Sequence, residues 1–249
     1  MKVDPDTVKV YRRDGCVVLR QVFSKKWIKH LSAGLTANMQ SPGRYMRQYN
    51  NDSEQGTFFG DYCNWRRITE YEDFVRRSPA ADIARGLMES KKANFFHEHV
   101  IVKSPGTEEA TPWHHDHPYY CINGMDTCSL WVPLDVVPRK TAVEFIAGSH
   151  LWDQLFQPKM FAGGNYPEWR DDFEDMPDIN AERQQYPIIA FDLWPGDCVA
   201  FHFRTVHGAP GNGSLTSWRR AIAFRWTGDD VTFCLRNGIM SPPFNEFDD

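Results

Sequence analysis

The residue types best suited to chemistry in this 249-residue chain cluster in Thr111-Pro-Trp-His-His-Asp-His-Pro118. On an extended strand alternate side chains share a face, so His114 and Asp116 project together while His115 and His117 project the other way. An imidazole and a carboxylate at that spacing can reach one ion from a strand end. A third ligand must come from elsewhere. His207, in Phe201-His-Phe-Arg-Thr-Val-His-Gly-Ala209, closes an apolar strand pattern just before a Gly/Pro/Asn turn. Two histidines and one carboxylate make the facial triad of non-haem Fe(II) oxygenases, which leaves coordination positions open for reactants. His202 is the alternative to His207, but it falls in mid-strand on the opposite face. A zinc hydrolase would accept the same donors and could recruit His97 and His99, which share a strand face. Neither HExxH nor HxHxDH spacing is present to complete that reading.

A second constellation is Trp218-Arg-Arg-Ala-Ile-Ala-Phe-Arg-Trp226. Read as a strand, one face carries Arg219, Ala221, Ala223 and Arg225, and the other carries Trp218, Arg220, Ile222, Phe224 and Trp226. The arginine face fits either solvent or the floor of a cavity, and periodicity leaves both open. In a cavity, the planar guanidinium fork suits a carboxylate or phosphate-like group. Arg225 is therefore a candidate contact for an anionic substrate, with an ion pair to Asp229 or Asp230 as the alternative. Tyr119, three residues beyond Asp116, is a second substrate-side candidate. The loop around Tyr49-Asn-Asn-Asp52 and Phe58-Phe59 could close over the metal.

These side chains need a scaffold, and the composition supplies one. Hydrophobic residues make up 41% and charged residues 24%, which is globular rather than disordered composition. The formal net charge of -5 argues against nucleic acid as a partner. No apolar run approaches the roughly 20 residues that cross a bilayer, and the opening segment lacks an uncharged signal-like stretch. Six cysteines without a CxxC pattern read as reduced, mostly buried thiols, and the expected location is cytoplasmic.

Gly15-Cys-Val-Val-Leu-Arg20 reads as a short strand, and a helix follows. Ser24 is an N-cap candidate, with Trp27, Ile28, Leu31, Leu35 and Met39 on one face. A further helix is predicted over about 71–89, interrupted near Ser78-Pro79. Residues 41–64 lack a period and read as a lid or binding loop. From residue 93 the texture turns to strands, at about 94–103, 126–132, 141–146, 198–206 and 218–227, with 151–186 as a surface insertion returning at 187–191. Helices followed by closely spaced strands predict an α+β chain with an all-β core. The fold class is a double-stranded β-helix, that is a cupin-like jelly roll. Residues 1–249 are expected to form one domain, with helical support to about 92 and the jelly-roll core over about 93–235.

The order of motifs resembles the phytanoyl-CoA dioxygenase family of Fe(II)/2-oxoglutarate oxygenases. Asp14-Gly15 before Val17-Val-Leu, Lys103-Ser-Pro-Gly106, His114-x-Asp116, Trp131, Gly148-Ser-His150, His207-Gly208 and Arg219 follow in sequence over about residues 10–230. The resemblance implies Fe(II) held by His114, Asp116 and His207. It also implies Arg219 on the distal carboxylate of 2-oxoglutarate, Trp131 lining the cosubstrate pocket and His99 as a cosubstrate or substrate contact. Two departures stand out. Arg139-Lys-Thr-Ala142 occupies a position that is often Asn-Gly in the family, and Ala209 one that often carries a hydroxyl. Related halogenases replace the ligand carboxylate with a small residue; Asp116 is present here, so hydroxylation is expected. The implied activity consumes O2 and 2-oxoglutarate and oxidises a small, anionic substrate, in a monomer or homodimer with no nucleic-acid or membrane partner. The competing readings are a zinc-dependent hydrolase and a non-catalytic jelly-roll binding protein.

Overall fold

A computed structural model describes residues 2–50, 56–159, 172–236 and 241–242. Three segments open the chain: α1 (Pro5–Asp14), β1 (Cys16–Leu19) and α2 (Lys25–Gln40). Next come β2 (Arg47–Gln48), β3 (Phe58–Tyr62), α3 (Thr69–Arg77) and α4 (Ala80–Met88). The strand-rich part holds β4 (Asn94–Lys103), β5 (Thr111–His114), β6 (Ile122–Asn123), β7 (Thr127–Pro133) and β8 (Glu144–Ile146). It ends with β9 (Ile188–Ile189), β10 (Cys198–Phe201), β11 (His207–Ala209), β12 (Arg219–Thr227) and β13 (Thr232–Phe233).

The sheets pair antiparallel throughout the described residues. The large sheet runs β1-β10-β7-β12-β4-β3-β2 and the smaller one β5-β11-β8-β9, while β13 pairs with β6. Two facing antiparallel sheets with crossed connections are the jelly roll that the strand spacing predicts.

Period-2 alternation gives the large sheet two different faces. Ile222, Phe224 and Trp226 of β12, with Leu130 of β7, Val100 of β4 and Ala200 of β10, join the core beneath the four helices. The intervening residues Ala221 and Ala223, with Trp131, Val199 and Phe201, face the smaller sheet. Small alanines on this second face leave room between the sheets.

The helices form where local signals and an apolar stripe agree. Ser24 caps α2 through its hydroxyl, which accepts from the Trp27 N–H, and Ile28, Leu31 and Leu35 are buried. The expected helix over 71–89 breaks into α3 and α4 at Ser78-Pro79, because proline cannot donate the ladder hydrogen bond. Phe74 of α3 sits at the junction, with ring centroids 4.9 Å from Phe23, 5.7 Å from Trp27 and 4.4 Å from Phe224.

The structure corrects the sequence reading in three places. Helix α1 went unpredicted although Asp4 caps it, Pro5 opens it and Gly15 closes it at φ 75°. The lid expected over 41–64 contains β3, whose Phe58 and Phe59 are buried and paired with β4, so this part of the segment is sheet. Tyr49 and Asn50 lie beside it, while Asn51 and Asp52 fall outside the described residues, as does much of the 151–186 insertion. The strand expected over 198–206 stops at Phe201 and turns into the other sheet, so His202 lies in a turn.

Phe74→Ala should lower the unfolding free energy by about 3–5 kcal/mol in chemical denaturation, as expected for deleting a buried ring. Leu215→Ala, at an 82% exposed position, should stay within about 0.5 kcal/mol of the parent.

Candidate metal centre

One strand register creates the site. In the antiparallel pair of β5 and β11, His114 lies directly opposite His207, and their ring centroids are 4.3 Å apart. Each ring is oriented by its own backbone. His114 Nδ1 donates to the Pro112 carbonyl at 2.8 Å and His207 Nδ1 to the Thr205 carbonyl at 2.9 Å. With Nδ1 carrying the proton, each Nε2 presents its lone pair, the arrangement of a metal-ligating imidazole.

Asp116 reaches the same point by a different route from the one alternation predicts. β5 ends at His114, and Asp116 adopts helical φ/ψ (−68°, −35°) at the start of a short 3-10 turn, His117–Tyr119. Its Oδ1 stands 3.8 Å from His114 Nε2 and 4.0 Å from His207 Nε2. These separations are too long for direct hydrogen bonds and leave space for an ion between three donors. Among the described residues this is the only group of three or more His, Cys, Asp or Glu able to converge on a metal.

The electrostatics suit a cation. Burial pushes the His114 imidazole down to about 3, reinforced by His207, and His207 is lowered for the same reason. Both are therefore neutral ligands at neutral pH. Burial alone would raise the Asp116 carboxyl, but the Arg225 guanidinium outweighs it and holds the carboxyl well below the usual range.

A narrow cleft adjoins the triad, lined by His114, His207, Trp131, Arg219, Ala223 and Arg225 among others. Its floor follows from sheet register: Ala223 of β12 pairs with Trp131 of β7 on one side and His99 of β4 on the other. Arg219 is 5% exposed. Its guanidinium donates to the Thr141 carbonyl, and no carboxylate among the described residues forms an ion pair with it. Lys103 lies beside it in the register, with Nζ donating to the Glu109 and Pro210 carbonyls. Burial and the Arg219 charge push the Lys103 amine down to about 6, leaving Arg219 as the permanent cation of the two.

The remaining candidates divide. His99 packs edge-on against Tyr62 at 5.6 Å, and burial together with Arg225 pushes it down to about 3. Tyr119 turns its ring edge toward His114 at 5.9 Å, while its hydroxyl is held by the backbone of Lys159. Arg225 pairs with neither Asp229 nor Asp230. Its Nε donates to Asp116 Oδ2 at 3.1 Å, because the strand face carrying it looks across the gap between the sheets. His97 stays with the aromatic wall, near Tyr120 and Phe96, and His115 and His202 bind backbone groups away from the triad. Tyr120 was missed by the sequence reading. Its ring lies 5.7 Å from the Arg225 guanidinium, a contact that only the turn after Asp116 creates.

A family model described as Phytanoyl-CoA dioxygenase (PhyH) matches residues 11–221. A Caenorhabditis elegans protein named "Probable phytanoyl-CoA dioxygenase" is 23% identical over 186 residues, 67% of this chain. The chain spans 56% of that relative's length. Among solved structures, the non-heme alpha ketoglutarate dependent carbocyclase SnoK from nogalamycin biosynthesis superposes with a TM-score of 0.74 at 22% identity. That match covers 93% of this chain and 87% of SnoK. The epimerase SnoN, solved with Fe3+, alpha ketoglutarate and nogalamycin RO, gives 0.73 at 18% identity over 92% of this chain and 85% of its own. At these identities the structural matches establish the shared fold.

His114→Ala, Asp116→Ala and His207→Ala should each abolish stoichiometric Mn(II) binding in calorimetric titration, since two donors hold a divalent ion poorly. His115→Ala and His202→Ala should keep Mn(II) binding but lose about 1–3 kcal/mol of stability, because each leaves a buried backbone partner unsatisfied.

Proposed function

The chain belongs to the phytanoyl-CoA dioxygenase family, and from that premise we propose that it is an Fe(II)- and 2-oxoglutarate-dependent dioxygenase. In this reading it hydroxylates a small anionic organic substrate and releases succinate and CO2. The observation that carries it is a buried cation without a carboxylate partner, Arg219, lining the same cleft as the His114–Asp116–His207 cluster. A buried charge is costly unless paired, so Arg219 fits a site completed by an anionic ligand.

The residues present fit the metal. His114, Asp116 and His207 would hold Fe(II): two neutral imidazoles and one carboxylate, each imidazole oriented by a backbone carbonyl. When bound, the iron supplies the activation of O2, coupled to oxidative decarboxylation of 2-oxoglutarate. The protein does the rest by position and exclusion. Arg219 takes the distal carboxylate of the cosubstrate with the part of its fork not donated to Thr141. Trp131 forms an apolar wall that limits how the cosubstrate can lie, and His99, neutral, offers a further polar edge. The jelly-roll walls and the Tyr119–Tyr120 turn shield the cleft from bulk water.

Charge balance favours an anionic substrate. Asp116 is matched by Arg225, and the doubly negative cosubstrate is set against a dication plus Arg219. One positive charge is left over in a buried space. Arg225 Nη1 is buried without a hydrogen-bond partner among the described residues, so it can donate to a carboxylate, phosphonate, sulfonate or phosphate oxygen. Tyr119, edge-on to His114 at 5.9 Å, would flank the substrate beside the metal.

Aerobic, Fe(II)-loaded protein should release succinate from 2-oxoglutarate when offered a panel of small carboxylates, phosphonates, sulfonates and acyl thioesters, and product mass should rise by one oxygen. A failure to bind 2-oxoglutarate in the presence of Fe(II) would reject the reading. Arg219→Ala should raise the KM for 2-oxoglutarate strongly, by the equivalent of about 2–5 kcal/mol. Arg219→Lys should recover only part of this, because a point charge replaces a planar fork.

A further inference from the structure

The Arg225–Asp116 contact joins the two sheets at the metal cluster. Arg225 belongs to β12 of the large sheet, whereas Asp116 follows β5 of the smaller one. Both side chains are about 5% exposed. The two oxygens of the carboxylate have separate environments: Oδ2 accepts from Arg225 Nε at 3.1 Å, while Oδ1 faces the Nε2 atoms of His114 and His207.

The fold is built to aim this guanidinium. In the β12–β4 ladder the register shifts between Arg225, opposite His97, and Trp226, opposite Phe95, so Phe96 is the extra residue of a bulge. Bulges increase local twist and redirect the side chains beside them. The Tyr120 ring backs the guanidinium at 5.7 Å. On the other flank Arg225 is opposite Ser129 of β7.

We propose that Arg225 is a positioning residue for the metal: by holding Oδ2 it presents Asp116 as a ligand through Oδ1 alone. The inference rests on the reading that His114, Asp116 and His207 bind a divalent ion. A carboxylate released from Arg225 could turn both oxygens to the ion and occupy a position that a reactant needs. Outer hydrogen bonds of this kind orient the ligands that touch the metal. Arg225 is not itself a ligand and touches Asp116 only at Oδ2, and its free Nη1 leaves the other end of the guanidinium available to substrate. One side chain would then link the two.

Charge and position predict opposite signs, which makes the idea testable without turnover. If Arg225 acted only as a charge, removing it would strengthen binding of a dication, because a nearby positive charge is lost. If it acts by position, removal weakens binding. The probe is Co(II) alone, titrated calorimetrically and by visible absorption into full-length parent, Arg225→Met, Arg225→Gln and Arg225→Lys proteins, with circular dichroism as the folding control. Arg225→Met should bind Co(II) about 10–100-fold more weakly and change the shape of the cobalt band. Arg225→Gln keeps an N–H donor, should fall between Met and parent, and serves if the methionine variant fails to fold. Arg225→Lys should restore much of the affinity. Equal or tighter binding by Arg225→Met or Arg225→Gln with an unaltered cobalt band overturns the inference while leaving the metal reading intact. Absence of Co(II) binding by the parent would overturn the metal reading, and this inference with it.

Discussion

The site depends on one constraint, the antiparallel register that sets His207 opposite His114. Neighbouring strands are spaced by backbone hydrogen bonding, so facing side chains on such a pair start about 4.5–5.5 Å apart at Cβ. Two imidazoles held that way, each tied to the backbone carbonyl two residues before it, already form half of a metal site. A slip of one residue would turn His207 to the opposite face and dissolve the cluster. That register is reinforced on the far side of β11, where His207 pairs with Phe145 and Gly208 with Glu144 of β8.

The large sheet pays for the cleft with its other face. Phe224, Leu130 and Val100 bury apolar surface under α2, α3 and α4, and that core stabilises strands whose second face carries two arginines, two histidines and small alanines. Basic groups are tolerated in that buried face because each has a hydrogen-bond partner. Arg225 has Asp116, Lys103 has two carbonyls, and Arg219 has a carbonyl and room for an anion. Similar economy appears on the helix-facing side. Glu98 there accepts N–H groups from Asn64 and Trp65 and so fixes the turn that leads into α3; burial raises its carboxyl to about 8.

Histidine content is a poor guide to the site. Of nine histidines, two enter the metal cluster, although His115 adjoins His114 in sequence and His202 lies five residues before His207. His115 Nε2 accepts the Phe156 N–H, and His202 Nε2 donates to the Met125 carbonyl, so both serve as buried connectors between loops. What separates ligands from connectors is which way the backbone turns at each position, not residue type.

Local residue pattern was enough to read a helix-rich first part, a strand-rich second part and the jelly-roll class, and with the family's motif order it pointed to His114, Asp116 and His207. It also determined the common face of Arg219 and Arg225, since strand alternation is a local property of the backbone. It misplaced β3 and overlooked α1, because two-sided burial hides the alternation of Phe58–Tyr62 and the apolar stripe of α1 is short. Long-range packing was needed to bring Asp116 in through a helical turn, to set His202 at the crossing between sheets, and to join Arg225 to Asp116 instead of Asp229 or Asp230. Each of these joins residues more than 75 positions apart or turns on a single pair of φ and ψ angles. Such contacts are set by how the two sheets face each other, and no local pattern of residue types encodes that distance.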